Sequence, residues 1–172
     1  MTDPVEDIIG DYKAFAAQQR DRLLSRGIDI TPFTLSHICY RVAEWDEYVR
    51  VRGLLERHAV ANRESVWNGR PMSLIVFDQL EVLDGKTLPM IELIPPVHQR
   101  VYKMGLEHLG IVVGEMFDAF VDAAKARGFP VELRWCPDSG HNAPAGMPAE
   151  VCRDDYGSWL RDFFGRALST EP

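Results

Sequence analysis

The chain has 172 residues, 46% of them hydrophobic and 26% charged, and a formal net charge of −7. This balance is typical of a globular domain, and the acidic surface argues against nucleic-acid binding through a general basic patch. The first residues do not resemble a secretory signal, no window is apolar enough to span a membrane, and the three cysteines lack a metal-ligand spacing. We therefore expect a cytoplasmic protein with no membrane or nucleic-acid partner.

The first half of the chain predicts a helix followed by one β-α-β-β-β unit. Apolar residues at helical spacing predict the helix over 3–26, and Gly27 ends it. The elements predicted next are a strand at 34–42, a helix at 44–59, and strands at 64–68, 72–79 and 88–94. Turn-forming residues at 68–71 and 83–86 separate the last three strands.

The second half of the chain begins with the same strand–helix order. The elements predicted here are a strand at 106–113, a helix at 114–128, a strand at 130–136, a loop at 137–148 and a short strand at 149–153. Apolar residues after position 158 fall at helical spacing, which favours a terminal helix. A hairpin with its turn at 155–157 is the alternative.

An internal repeat relates the two halves. The block "SHICYRVAEWDEYV", which begins at Ser36, aligns with "EHLGIVVGEMFDAF", which begins at Glu107. A histidine is second in each block, a strand follows it, and a glutamate stands seven residues after it. His37 and His108 are 71 residues apart. The repeat predicts that they occupy equivalent places in two copies of one module.

Three polar residues interrupt predicted buried strands. Because side chains alternate across a strand, His37, Glu92 and His108 are all expected to point away from the apolar side of the sheet. Burying a carboxylate and two imidazoles without partners is costly, and a divalent metal would remove that cost. Two histidines and a carboxylate are the usual open ligand set of Fe(II), with Mn, Ni or Zn possible. A degenerate site without metal is the alternative.

Arg41 follows His37 by four residues, on the same predicted face of the strand. Its guanidinium is suited to clamp a carboxylate or an oxyanion of a substrate. The alternative is an ion pair with Glu92 or with another buried acid.

Four strings of the sequence together resemble the YecM-like family of bacterial proteins, within the vicinal oxygen chelate (glyoxalase/extradiol dioxygenase) superfamily. They are "DITPFTLSHICYR", "NGRPMSLIVF", "IELIPP" and "LEHLGIVV", and the resemblance extends more loosely to the C-terminus. It implies an α+β fold in which paired βαβββ modules form a curved mixed sheet, the glyoxalase-like cup, with an added N-terminal helix. We expect one domain over 1–172, with that helix at 1–27, a first module at 28–96 and a second, degenerate module at 105–172.

The resemblance also implies the roles of particular residues. His37, Glu92 and His108 match the ligand positions for one divalent metal ion. Glu150 matches the fourth ligand of the superfamily if 149–153 is the last strand, and it is also a candidate general base. Arg41 is the second candidate catalytic residue.

These observations favour a metal-dependent enzyme acting on a small oxygen-bearing molecule, whose neighbouring oxygens chelate the metal. Isomerase, lyase and oxygenase chemistry all fit such a centre. The alternative is a non-catalytic small-molecule-binding protein on the same fold, with a degenerate or absent metal site. We expect a monomer or a homodimer. An N-terminal helix that docks a partner is a weaker interpretation, because a helix packed on its own domain gives the same pattern.

Overall fold

The computed structural model describes residues 3–67, 69–96, 104–128 and 149–152, and within them the chain is an α+β protein. The described elements are, in chain order, α1 (Glu6–Ile9), α2 (Tyr12–Leu24), β1 (Thr34–Arg41), α3 (Trp45–Glu56), β2 (Ala61–Trp67), β3 (Arg70–Leu83), β4 (Lys86–Ile94), β5 (Gly105–Val112), a 3₁₀ turn (Gly114–Met116), α4 (Phe117–Ala126) and β6 (Ala149–Cys152). None of the described helices is long and apolar enough to cross a membrane.

The prediction of one continuous N-terminal helix is wrong, because the chain breaks it at Gly10. This residue has φ 85°, which a glycine adopts without the steric penalty that a side chain would bring. The second helix starts afresh, with the side chain of Asp11 accepting a hydrogen bond of 2.8 Å from the amide of Ala14. Apolar side chains continue at helical spacing across the break, which is why periodicity alone did not reveal it.

The predicted β-α-β-β-β order is confirmed by β1, α3, β2, β3 and β4, and the restart by β5 and α4. The predicted short strand near 150 is confirmed by β6. The predicted strand at 130–136, the loop at 137–148 and the terminal helix lie outside the described residues.

A two-residue turn sets the register of the hairpin that joins β3 to β4. Leu83 pairs with Lys86, and between them Asp84 and Gly85 have φ 44° and 79°, the left-handed conformation that a type I′ turn requires. This confirms the turn predicted at 83–86. The preceding hairpin joins β2 to β3 and includes Gly69 at φ 75°.

All described strands belong to one mixed sheet with the order β2-β3-β4-β1-β5-β6. The central strand β1 runs parallel to β4 and antiparallel to β5, and β5 runs parallel to β6. The three strands that carry the predicted polar residues, β4, β1 and β5, are therefore immediate neighbours.

The two faces of the sheet contribute to different cores. Ile38 of β1 and Ile91 of β4 belong to the large core that the helices cover. Cys39 and Met90, one position away on the same strands, belong to a smaller cluster on the opposite face. By alternation Glu92 shares the face of Met90. The predicted site thus lies on the sheet face that points away from the large core.

Candidate metal centre

His37, Glu92 and His108 meet on three neighbouring strands. The two Nε2 atoms of the histidines are 3.4 Å apart. Glu92 Oε2 lies 3.5 Å from His108 Nε2 and 3.9 Å from His37 Nε2. The residues are 6%, 3% and 0% exposed in chain order. The structure therefore brings together the three residues that the sequence singled out.

The strand register accounts for this meeting. On the parallel side, Glu92 pairs with Cys39, two residues beyond His37. On the antiparallel side, Ile38 pairs with Leu109, and irregularities in the ladder flank that pair. Such irregularities re-aim side chains. The irregularities occur where the His37 and His108 rings, on antiparallel strands, point their Nε2 atoms at each other.

The geometry of these three residues fits a metal ion. With metal–ligand bonds of about 2.1 Å, adjacent ligand atoms of a tetrahedral or octahedral ion lie about 3.0–3.4 Å apart. The observed separations of 3.4–3.9 Å are close to that range. Glu92 Oε2 is buried and has no hydrogen-bond partner among the described residues. A buried carboxylate oxygen of this kind is costly unless a cation or a donor reaches it. The group could therefore hold a metal.

A serine and a glycine surround His37. Ser36 Oγ lies 2.8 Å from His37 Nδ1, so the hydroxyl and the ring share a hydrogen bond in a fully buried setting. The ring also rests on Gly110 of β5, where an added Cβ would lie only 2.4 Å from His37 Nδ1. The absence of a side chain at Gly110 is what makes room for the imidazole.

A carboxylate and a guanidinium lie beside His108. Glu107 Oε1 is 3.6 Å from His108 Nδ1. Arg41 pairs with both oxygens of Glu107, through Nε to Oε2 and through Nη2 to Oε1 at 3.2 Å. Burial alone would raise the pKa of the Glu107 carboxyl, but the contacts with His108 and Arg41 outweigh it and lower that pKa to about 2.

Cys39, Glu107 and His108 form a second cluster of potential ligand atoms. Burial raises the pKa of the Cys39 thiol to about 12. One observation argues against a cation at this cluster: the charge of Glu107 is already matched by Arg41. We interpret this cluster as the surroundings of His108 rather than as a metal site.

Arg41 forms an ion pair with Glu107, an acid that the sequence interpretation did not name. The pair is bidentate, and the Arg41 side chain is fully buried. This matches the alternative in which the arginine neutralises a buried acid. Its role as a substrate clamp stays a prediction.

Glu150 lies in β6 at a position equivalent to that of Glu92. In the parallel ladder between β5 and β6 it pairs with Gly110, two residues after His108. Glu92 pairs with Cys39, two residues after His37, in the other parallel ladder. The backbone register therefore repeats across the two halves. The side chain of Glu150 lies outside the described part of the chain.

Ser36, Glu107 and Gly110 were missed by the sequence interpretation. A signal for two of them was present, because Ser36 and Glu107 each directly precede a histidine in the aligned blocks. Gly110 lies two residues after His108 in β5. It is the position where the His37 ring of the neighbouring strand needs space.

Comparison with known proteins assigns the chain to a family and finds a similar solved structure. The family model described as "YecM protein" matches residues 4–131. A solved structure titled "Structural Genomics, Protein EC4020" is 29% identical, with a TM-score of 0.59, and the match covers 73% of this chain and 68% of that one. No curated protein matches the chain. Because the family model spans well over half of the sequence, the chain belongs to the YecM family.

Proposed function

We propose that this chain is a metal-dependent enzyme acting on a small oxygen-bearing molecule, with an isomerase, lyase or oxygenase type of reaction. The observation that carries the proposal is the buried group of His37, Glu92 and His108, whose facing atoms are 3.4–3.9 Å apart. Three protein ligands leave coordination positions open for two neighbouring oxygens of a substrate.

The donor set determines the charge that a substrate would meet. A divalent ion supplies Lewis acidity, which polarises a carbonyl and stabilises negative charge developing on oxygen. Two neutral imidazoles and the Glu92 carboxylate would leave a net positive charge at the centre, while Arg41 and Glu107 balance each other. A substrate that offers one anionic and one neutral oxygen complements that charge.

The proposed architecture is the paired-module cup, with modules over 28–96 and 105–172 following the N-terminal segment at 1–27. The repeated register supports it, because Glu92 and Glu150 each pair with the residue two positions after a histidine. Glu150 is proposed as a fourth ligand or as the general base for proton transfer.

The second candidate function is non-catalytic binding of a small molecule without a metal. The distance of 3.4 Å between the two Nε2 atoms favours it, because it falls within hydrogen-bond range if one ring donates and the other accepts. In that arrangement the His37 and His108 rings carry their protons on different nitrogens. In a metal site both Nε2 atoms must be free of protons.

Metal analysis of the purified native protein tests the proposal. We expect about one equivalent of a divalent metal, or uptake of one equivalent of Zn²⁺ by metal-free protein. His37→Ala, Glu92→Gln and His108→Ala should each lose that equivalent, because a two-ligand remnant binds weakly. His58→Ala is the matched control, since this histidine is exposed at the end of α3.

The open coordination positions need a separate measurement. In the Co²⁺-loaded protein, a small hydroxamate, which offers two neighbouring oxygens, should change the visible absorption spectrum of the metal. Wild-type protein that neither carries nor takes up a metal would exclude the enzyme and favour the metal-free binder. Metal without any spectral response to the hydroxamate would exclude a chelated substrate.

A further inference from the structure

The hairpin of β2 and β3 separates its charged residues by face. Met72 belongs to the small apolar cluster on the sheet face that carries the proposed metal centre, and Ala61 packs against that cluster. Because side chains alternate along a strand, Arg63 shares this face with Ala61, and Arg70 shares it with Met72. The acid of the paired strands, Glu64, lies on the opposite face. A chain of net charge −7 thus places two positive charges on the side of its metal centre.

Glu64 does not neutralise the charge of Arg70. It accepts a hydrogen bond of 3.1 Å from the hydroxyl of Tyr48 and pairs with Arg52, and both partners belong to α3. Among the described residues, Arg70 has no carboxylate within ion-pair distance. Its hydrogen bond there is a long one, 3.4 Å from Nη1 to the carbonyl oxygen of Pro96. Since a guanidinium has five N–H donors, the described residues leave most of those of the half-buried Arg70 for another partner.

The strand register gives the distance from Arg70 to the metal centre. Leu74 pairs with Glu92 in the ladder between β3 and β4. Arg70 precedes Leu74 by four residues, on the same face of β3. At about 3.3 Å per residue and about 4.8 Å between strands, the Cα atoms of Arg70 and Glu92 are about 14 Å apart. Both side chains extend from the same face of the sheet, so the two ends of one small, extended molecule can reach the metal and the guanidinium.

We propose that Arg70 is a specificity-determining residue that binds an anionic group at the far end of the substrate, while the metal binds its chelating oxygens. The inference rests on the proposed function. It narrows the substrate class to small molecules with two neighbouring oxygens at one end and a carboxylate or a phosphate at the other. A planar guanidinium binds either anion through paired hydrogen bonds. Arg63 adds a second positive charge on the same face, which attracts the anion at longer range.

Hydroxamates with and without a terminal charge test the proposal in the Co²⁺-loaded protein. The monohydroxamates of succinic, adipic and suberic acid place a carboxylate at three distances from the chelating end, and the corresponding terminal amides are their neutral matches. The visible absorption of the metal reports the binding of each probe. With the wild type, we expect the acid to bind about 10-fold more tightly than the amide for at least one of the two longer probes.

Arg70→Met should abolish the preference for the acid, because it removes the charge and keeps an unbranched side chain. Arg50→Met is the matched control and should keep the preference, since Arg50 is 60% exposed on α3. Comparing acid with amide within each protein cancels any general change in the metal centre. If Arg70 only supported the carbonyl of Pro96, Arg70→Met would be less stable but would keep the preference. That result would overturn the proposal, as would equal binding of acid and amide by the wild type.

A measurement on metal-free protein separates this inference from the proposed function. Adipate and inorganic phosphate are titrated separately, and the side-chain Nε–H signal of Arg70, identified by its loss in Arg70→Met, should shift with at least one of them in nitrogen NMR. The larger response distinguishes a carboxylate from a phosphate. Protein that takes up no metal would remove the proposed function, and an Arg70 signal that neither anion shifts would then overturn this inference too. Protein that binds Co²⁺ and the hydroxamates without preferring the acid would keep the proposed function and lose this inference.

Discussion

The strand around His37 and the strand around His108 bring the same atom, Nε2, to one position and hold their rings by different means. His37 is held by a shared hydrogen bond with Ser36 and by its fit against Gly110. His108 has a charged neighbour, Glu107, which Arg41 holds in turn. In both halves a side-chain oxygen of the residue that precedes the histidine lies beside its Nδ1 atom.

This difference shows which part of a duplicated site depends on the backbone and which does not. The register opposite each histidine is the same, so the ligand positions follow from the strand geometry. The neighbours at Nδ1 are set by single side chains and differ in charge. We infer that packing holds one half of the site and electrostatics the other, and the two halves should respond to different substitutions.

Gly110→Ala should give the largest effect on metal binding, because it disturbs the half of the site that depends on packing. The new Cβ would lie 2.3 Å from Ser36 Oγ and 2.4 Å from the His37 ring, so the ring must move. We expect a loss of stability of about 1–3 kcal/mol and a loss of Zn²⁺ affinity of about 100-fold or more. Chemical denaturation and isothermal titration with Zn²⁺ measure the two effects.

Cys39→Ala is the matched control, since Cys39 takes the place of Gly110 in the other half of the repeat. This substitution shortens a side chain, so His108 keeps its space, and we expect less than about a threefold change in Zn²⁺ affinity. Equal losses in the two variants would show that the halves are not held differently.

Glu107→Leu alone should destabilise the protein more than Arg41→Met/Glu107→Leu. The single variant leaves a fully buried guanidinium without the carboxylate that it pairs with. Removing one partner of a buried pair costs about 3–5 kcal/mol, whereas replacing both by apolar side chains can be nearly neutral. Urea denaturation of the two variants and of Arg41→Met completes a double-mutant cycle.

The exposed pair of Arg20 and Asp84 is the control for that cycle. Asp84 is 82% exposed, so Asp84→Asn should cost less than about 1 kcal/mol. A coupling energy between Arg41 and Glu107 no larger than that cost would contradict a rigid buried pair.

The ligand group was predictable from the sequence because it depends on two strong regularities. Strand alternation put His37, Glu92 and His108 on one face, and the repeat made the two histidines equivalent. The contact of Glu107 with His108 was not predictable in this way, because alternation assigns adjacent residues of a regular strand to opposite faces. The β1–β5 ladder is irregular, and one-residue changes of register leave no clear mark in the pattern of apolar residues.

The fold was predictable to a similar degree. The order of β1, α3, β2, β3 and β4 followed from periodicity and turn residues, since each element is long or bounded by glycine. The break at Gly10 was missed because the residues on both sides remain apolar at helical spacing. Its evidence is a backbone φ of 85°, which only the structure provides.

Acid should weaken the half that depends on charge. The pKa of Glu107 is about 2 in the folded chain and 4.5 ordinarily, so its contribution to stability is fully present above the ordinary pKa. That contribution is lost as the pH falls through the folded pKa. Between about pH 5 and pH 3 the free energy of unfolding should therefore fall more for the wild type than for Arg41→Met/Glu107→Leu. Urea denaturation at the two pH values measures this fall. An equal fall in the free energy of unfolding for the wild type and the double variant would contradict the linkage.

Ser36→Ala should have a smaller effect than Gly110→Ala, and it tests the hydrogen bond on the His37 side of the comparison. The substitution removes one buried hydroxyl, which should lower the free energy of unfolding by about 1 kcal/mol. The contact of the His37 ring with Gly110 remains. Because packing rather than this hydrogen bond holds the ring, we expect Zn²⁺ affinity to fall less than about tenfold. Zn²⁺ titrations of Ser36→Ala and of the Arg41→Met/Glu107→Leu variant compare the two histidines directly. A loss in Ser36→Ala as large as in that double variant would mean that both histidines depend equally on their Nδ1 neighbours.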